Sequence, residues 1–282
     1  AGWDFEEVLF GDHPLGWDTI GTEKVIMSVT QADFVKHRNE LYAPKNLVVA
    51  FSGKITQEQA EALAKEFFGE LAGEHERNFV PLEKFGEKRI FLRTKATEQA
   101  HLVIGVPGVS ALDKDHYAMK LLAIALGGNM SSRMFLRIRE AKGLCYYIAT
   151  ETDSYLDAGA LTTRAGVDQS RLHEAITDIV REYNLCAAEG IEQDELTRAK
   201  EYLRGKLTLS LEDSEELAHF YGKQELLYPE TVGLAEYMKK VDAVTVEQVN
   251  ALAKKLLKKE EFRLVVIGKE NDEEALRKIL LA

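Results

Sequence analysis

Arg139 and Tyr146 stand seven positions apart (146 − 139) within residues 126–148, LGGNMSSRMFLRIREAKGLCYYI. Gly143, between them, reads as the stop of a short arginine-studded helix, and Tyr146 opens the strand that follows. A guanidinium and a phenol bracketing one turn can be presented to the same bound group, both as hydrogen-bond donors. Ahead of them Gly127-Gly128-Asn129 can take left-handed backbone angles and bring the helix start close to whatever lies beside it. Met134, Phe135 and Ile138 form the packing side of the short helix, and Arg133 and Arg137 lie one turn apart on another side. Arg139 occupies the last turn, where a cation complements the negative end of the helix. Each arginine therefore has two readings, a ligand donor or a dipole partner and surface ion pair. Tyr146 and Tyr147, successive residues of a strand, are expected on opposite faces, one in the core and one offering its hydroxyl.

The elements that would position these groups come in two copies. Thr30 caps a helical pattern carrying Phe34, Val35 and Leu41, followed by a loop with Pro44, a strand at residues 47–51 and Gly53. Thr245 caps another, with Val249, Leu252 and Leu256, then a charged loop, a strand at residues 262–267 and Gly268. The offset is 215 in both pairs (245 − 30 and 268 − 53), a duplication of domain size. A lysine and a further helix follow each glycine, at residues 57–68 and 272–281. The second copy starts at a strand over residues 89–93, after a polar connector at residues 73–86. The same offset puts the start of the first copy about 125 residues ahead of Ala1. The expected organisation is thus residues 1–80 as the remnant of a first repeat and residues 81–282 as a complete second one. Within the second, residues 101–106 form a strand and residues 113–126 a helix. Residues 146–152 and 160–167 form a hairpin across Asp157-Ala158-Gly159. Helices fill residues 170–189, 193–211, 214–227 and 230–241. This order predicts an α+β class: two duplicated domains of mixed sheet with helices packed on one face, the first domain truncated.

Composition narrows the partners. Lys+Arg 36 against Asp+Glu 47 gives a net charge of −11, which disfavours nucleic acid and mildly favours cationic peptides. No apolar run approaches the ~20 residues needed to cross a bilayer, and no signal peptide opens the chain, so a cytoplasmic, membrane-free protein is expected. Cys145 and Cys186 are far apart and outside any C-x-x-C pattern, the usage of two small buried side chains in a reducing compartment.

Residues 126–148 resemble the signature of the second domain in the pitrilysin, or insulinase, family of zinc peptidases. The matching residues are Gly127-Gly128, Ser131-Ser132-Arg133, Phe135, Arg139-Glu140, Gly143-Leu144 and Tyr146. Phe10-Gly-Asp-His-Pro-Leu-Gly16 with Gly21-Thr22-Glu23, and Tyr42-Ala-Pro-Lys-Asn46, resemble the late part of that family's first domain. Asn129, where a glycine is common, and Cys145, where a small residue is usual, depart from the pattern. The resemblance implies a peptidase whose site is split between halves. Arg139 and Tyr146 would reach across the cleft, hydrogen-bond the substrate backbone beside the scissile bond and help stabilise oxyanion charge. Gly128, Asn129, Ser132 and Arg133, in the matching loop, are assigned to substrate binding.

The family's zinc motif, H-x-x-E-H, is absent from these residues. His37 is followed by Glu40 but then Leu41, and His173-Glu174 lacks the second histidine of H-E-x-x-H. His116 lies on the helix that the repeat equates with the zinc helix, yet Met119 and Lys120 stand where glutamate and histidine would be needed. His13 reads as a loop residue, and Glu6 and Glu7 as solvated helix residues. The expectation is therefore zinc in the parent protein and no metal bound by this chain, which alone is inactive. Its partners would be a peptide substrate and either the missing N-terminal segment or a homologous subunit, with a homodimer as a further arrangement. A non-catalytic partner subunit or peptide-holding paralogue is the alternative to an active parent.

Overall fold

The computed structural model describes residues 1–73 and 79–282. Its helices and strands, in chain order, are α1 (Gly2–Phe10), α2 (Glu23–Ser28), α3 (Gln31–Leu41), α4 (Gln57–Phe68), β1 (Ile90–Thr94), β2 (Gln99–Gly108), α5 (His116–Ala123), β3 (Cys145–Ser154), β4 (Gly159–Asp168), α6 (Leu172–Glu189), α7 (Gln193–Ser210), α8 (Ser214–Leu227), α9 (Leu234–Asp242), α10 (Val246–Leu256), β5 (Arg263–Gly268) and α11 (Glu273–Leu281). Two compact units are built from them. Ala1–Asp18, Pro81–Tyr202 and Lys239–Ala282 form one; Thr19–Val80 and Leu203–Met238 form the other. Part of the polar connector, residues 74–78, lies outside the described residues.

The first unit holds a five-stranded mixed sheet in the order β1-β5-β2-β4-β3, parallel between β1 and β5 and antiparallel elsewhere. Burial on β2 is nearly continuous from Leu102 to Val106, as a strand covered on both faces requires. Helices α5, α6, α10 and α11 pack on one face, which gives the α+β layering expected from the order of elements. On the other face α1 presses Phe5, Val8, Leu9 and Phe10 onto Val103, Ala160 and Val265. Glu6, on this helix, is not the solvated residue expected. It is half-buried and accepts a hydrogen bond from the Tyr155 hydroxyl at 3.0 Å, and burial raises its pKa.

The hairpin of β3 and β4 carries the second departure. A register shift between Cys145 and Tyr147 makes Tyr146 a bulge residue, so it and Tyr147 both oppose the stretch at Gly166. Neither tyrosine enters the core: Tyr146 is 57% and Tyr147 43% exposed, while the flanking Cys145 and Ile148 are buried. Strict alternation would have buried one ring; the extra residue cancels it.

The second unit contains α2, α3, α4 and α8, with the adjoining parts of α7 and α9. Thr30 and Thr56 each close a capping box, with Asp33 and Gln59, as Thr245 does with Gln248 in the other copy. The strand expected at residues 47–51 does not form. Leu47 is extended (φ −121, ψ 137), but no described strand pairs with residues 47–51. A strand is defined by its neighbours' hydrogen bonds, and apolar sequence alone cannot supply them.

Candidate substrate-orienting site

The loop ahead of the short helix is shaped by two contacts. Helix α5 runs on into a π-helical turn, Ile124–Gly128, and a Cβ on Gly127 would lie 2.2 Å from the Thr150 Oγ1 and 2.8 Å from its backbone nitrogen. Only glycine lets the loop sit against β3. Gly127→Ala is expected to cost ~1–3 kcal/mol of stability through overpacking, read as a lowered melting temperature. Asn129 then turns the chain: its Oδ1 accepts from the Ser131 N–H and hydroxyl, each at 2.8 Å, and its carbonyl accepts from the buried Ser132 hydroxyl at 2.6 Å. These bonds make Asn129 and Ser132 members of a capping turn. Gly128 sits where a Cβ would crowd Ile124 at 3.2 Å.

The helix expected from Ser131 or Ser132 onward is π-helical over Phe135–Glu140, a form frequent at functional sites. It ends where the Gly143 N–H donates to the Arg139 carbonyl at 2.9 Å and the Leu144 N–H donates to that of Ile138 at 3.2 Å. Gly143 has φ +59, the left-handed region where glycine carries no Cβ penalty.

The cations of this segment differ sharply in what they touch. Arg133 donates from Nε and Nη2 to the two carboxylate oxygens of Glu195, both at 2.6 Å, and from Nη2 to the Gly190 carbonyl at 2.8 Å. It tethers the loop to α7, and those donors are engaged within the protein. Arg137 donates to the buried Glu182 at 2.7 Å, and Lys142 pairs with Asp178. Arg139 has no hydrogen bond or ion pair from its guanidinium among the described residues. It lies over the Phe135 ring, 4.8 Å from the centroid. The Tyr146 hydroxyl likewise has no partner among the described residues. The structure thus separates Arg139 and Tyr146, both available, from Arg133, Asn129 and Ser132, whose polar groups are engaged internally.

Tyr147 has a different use. His101, Gly166 and Tyr147 share one cross-strand row on β2, β4 and β3. The ring of Tyr147 lies across Gly166, where a Cβ would come within 2.5 Å of it, and its hydroxyl meets His101 Nδ1 at 3.2 Å. This row was not singled out from sequence. A glycine inside a β-branched strand, Leu-Thr-Thr-Arg-Ala-Gly-Val, was its available signal. Both cysteines are free and buried; burial pushes the Cys145 thiol up to about 11 and the Cys186 thiol to about 12, the reverse of an activated nucleophile.

The described residues that the repeat or the sequence offers as ligands do not fit a zinc ion. Met119, in the position of the motif's glutamate, is fully buried and its Sδ accepts the Val109 N–H at 3.2 Å. His13 accepts the Leu15 N–H at 3.2 Å and caps a single turn. Among the described residues no three His, Cys, Asp or Glu side chains come together as a metal site. No helix among them is long and apolar enough to cross a membrane.

Comparison with known proteins agrees with the family read from residues 126–148. The family model described as peptidase M16 inactive domain matches residues 28–203. An uncharacterized zinc protease of Mycobacterium leprae is 34% identical over 94% of this chain and 60% of its own length. One from Streptomyces coelicolor is 31% identical over 97% of the chain and 61% of its own length. The chain therefore spans about three-fifths of the length of these curated relatives. The crystal structure of a peptidase M16 inactive domain from Pseudomonas fluorescens superposes with a TM-score of 0.85 at 23% identity, over 96% of this chain and 65% of that one. With the family model covering more than half of its residues, the chain belongs to the peptidase M16 family of zinc proteases through that family's inactive domain.

Proposed function

We propose that this chain is the substrate-orienting part of a zinc metalloendopeptidase that hydrolyses peptides or unfolded segments, the metal being carried by a segment outside it. In this reading residues 1–80 are the C-terminal remnant of the first repeat and residues 81–282 the complete second. The observation that carries it is the pairing of cations around the short helix. Arg133, Arg137 and Lys142 have carboxylate partners, while Arg139, seven residues from an exposed Tyr146, has none among the described residues. Its contact is the Phe135 ring, which leaves its N–H donors without a carboxylate among the described residues. The names and lengths of the curated relatives support the rest.

Chemically, Arg139 offers a permanent positive charge with planar N–H donors, and Tyr146 a neutral hydroxyl. Both can donate to backbone carbonyls of an extended peptide, holding it in register. Both interactions strengthen as charge develops on a carbonyl oxygen, so they favour the transition state over the bound substrate. Arg139 lies on the π-helical turn, and Tyr146 at the bulge that leaves its ring exposed. This chain by itself is expected to bind no stoichiometric zinc and to cleave nothing.

The test uses the full gene product and a fluorogenic peptide. Tyr146→Phe is expected to lower kcat/KM ~10-fold, the scale of one neutral hydrogen bond used in the transition state, with the melting temperature unchanged. Tyr147→Phe, which deletes only the hydroxyl that meets His101, is expected to leave turnover near wild type. Normal turnover in Tyr146→Phe together with a large loss of melting temperature would make the residue structural. A full-length product without peptidase activity or zinc would instead identify the non-catalytic partner subunit.

A further inference from the structure

Two threonines stand in the middle of a core row of the sheet. Thr150 of β3 opposes Thr163 of β4, which opposes Ile104 of β2, which in turn opposes Leu264 of β5. All four side chains are buried. A hydroxyl in such a place costs free energy unless it is hydrogen-bonded, and valine would fill the same space without that demand. Here both threonine hydroxyls are bonded. Thr150 Oγ1 lies 2.7 Å from Thr163 Oγ1, which lies 2.6 Å from the hydroxyl of Tyr183, a fully buried residue of α6 stacked on Phe262. At the other end Thr150 Oγ1 meets the Met134 sulfur at 3.5 Å, and Thr163 Oγ1 lies 3.4 Å from the same atom.

A thioether can only accept, which gives this series of hydroxyls a direction. When Thr150 donates to Met134, Thr163 to Thr150 and Tyr183 to Thr163, every hydroxyl proton is used once. Burial raises the Tyr183 pKa, so the phenol keeps its proton as the donor at the inner end. The outer end lies behind the two free donors. Thr150 is on the strand that carries Tyr146. Met134 immediately precedes the π-helical turn that carries Arg139. Gly127, in the loop leading to that turn, sits so close to Thr150 Oγ1 that no Cβ fits between them. One side chain thus reaches from the strand of Tyr146 to both the loop and the turn of Arg139. Apolar packing tolerates small slides, whereas a hydrogen bond weakens steeply as its geometry departs from the preferred one.

We propose that Thr150 is a positioning residue: its hydroxyl fixes the turn that carries Arg139 relative to the strand that carries Tyr146, so that both donors meet one peptide. Thr163 and Tyr183 hold that hydroxyl in place from β4 and α6. Thr150 is itself buried and reaches no substrate, so its role rests on the proposed roles of Arg139 and Tyr146.

A double-mutant cycle in the full gene product, with a fluorogenic peptide, tests it. Thr150→Val keeps the shape and removes the hydroxyl. It is expected to lower kcat ~10-fold with KM within about 2-fold of wild type, because misplaced donors act on turnover. Thr150→Ser keeps the hydroxyl and loses the methyl, and its kcat should stay within about 2-fold of wild type. A packing role would give the reverse order. In an Arg139→Ala background, Thr150→Val is expected to add less than about 2-fold, since a residue acting through Arg139 has nothing left to position. Equal losses in both backgrounds, or wild-type turnover in Thr150→Val, would overturn the positioning role while leaving Arg139 as a donor. Full activity in Arg139→Ala would instead remove the proposed function, and the positioning role with it. If Thr150→Val does not fold, Tyr183→Phe, which keeps the ring, takes its place in the cycle. Its loss of ~3-fold must again vanish without Arg139, and a loss that persists there overturns the role.

Discussion

On the proposed function, Arg139→Ala made in the full gene product is expected to lower kcat/KM for a peptide by ~100-fold or more while the melting temperature stays within experimental error of the wild type. The magnitude is that of removing one preorganised donor from a developing oxyanion, about 10²–10³ in rate. The unchanged stability follows from what the guanidinium touches. It stacks on Phe135 and has no carboxylate among the described residues, so its loss leaves no buried charge behind. Its carbonyl, which accepts from Gly143 at 2.9 Å, is backbone and survives the substitution. Arg139→Lys keeps the charge but loses the planar fork, and should recover only part of the activity. Steady-state kinetics beside a thermal melt decides the matter: a fall in melting temperature with normal kcat/KM would make Arg139 a surface packing residue.

Arg133→Ala is expected to do the opposite, costing about 3 kcal/mol of stability. Arg133 and Glu195 are mostly buried, with side chains 10% and 14% exposed, and they meet through two parallel hydrogen bonds. Alanine would leave the Glu195 carboxylate without its cation and the Gly190 carbonyl without a donor. The loss is read from denaturant melts. It has a pH signature as well. Burial pushes the Glu195 pKa up, but hydrogen bonds from Arg133 and from the Glu192 N–H outweigh burial and hold it below the usual 4.5. A carboxylate depressed in the folded state contributes stability above its unfolded pKa, and that contribution is lost as pH falls below about 4.5. The wild type should therefore lose this increment on acidification, and Arg133→Ala should show a shallower acid limb. Equal acid limbs in the two proteins would show that the pair is not coupled to folding.

Much of the fold was legible because local chemistry and periodicity agree along the chain. The capping threonines Thr30 and Thr245 start their helices as read, and the alternating β-branched stretches became β2, β4 and β5. The strand expected at residues 47–51 does not form because a strand needs hydrogen-bonding neighbours, and among the described residues none pairs with this apolar stretch. The two tyrosines were misread because a bulge is a property of two strands' register, invisible in either one.

For the site, residue identity and spacing along one chain sufficed for the family, which the matching family model bears out, and for the expected duplication and the short list of candidate donors. It could not sort the arginines. Arg133 and Arg139 both sit on a short helix, six positions apart, in the same kind of sequence. Only the tertiary structure brings Glu195 and Gly190 onto the first, from residues about sixty positions away, and leaves the second without a carboxylate among the described residues. Charge neutralisation is a contact in space, and which guanidinium is free depends on how α7 folds back over the loop.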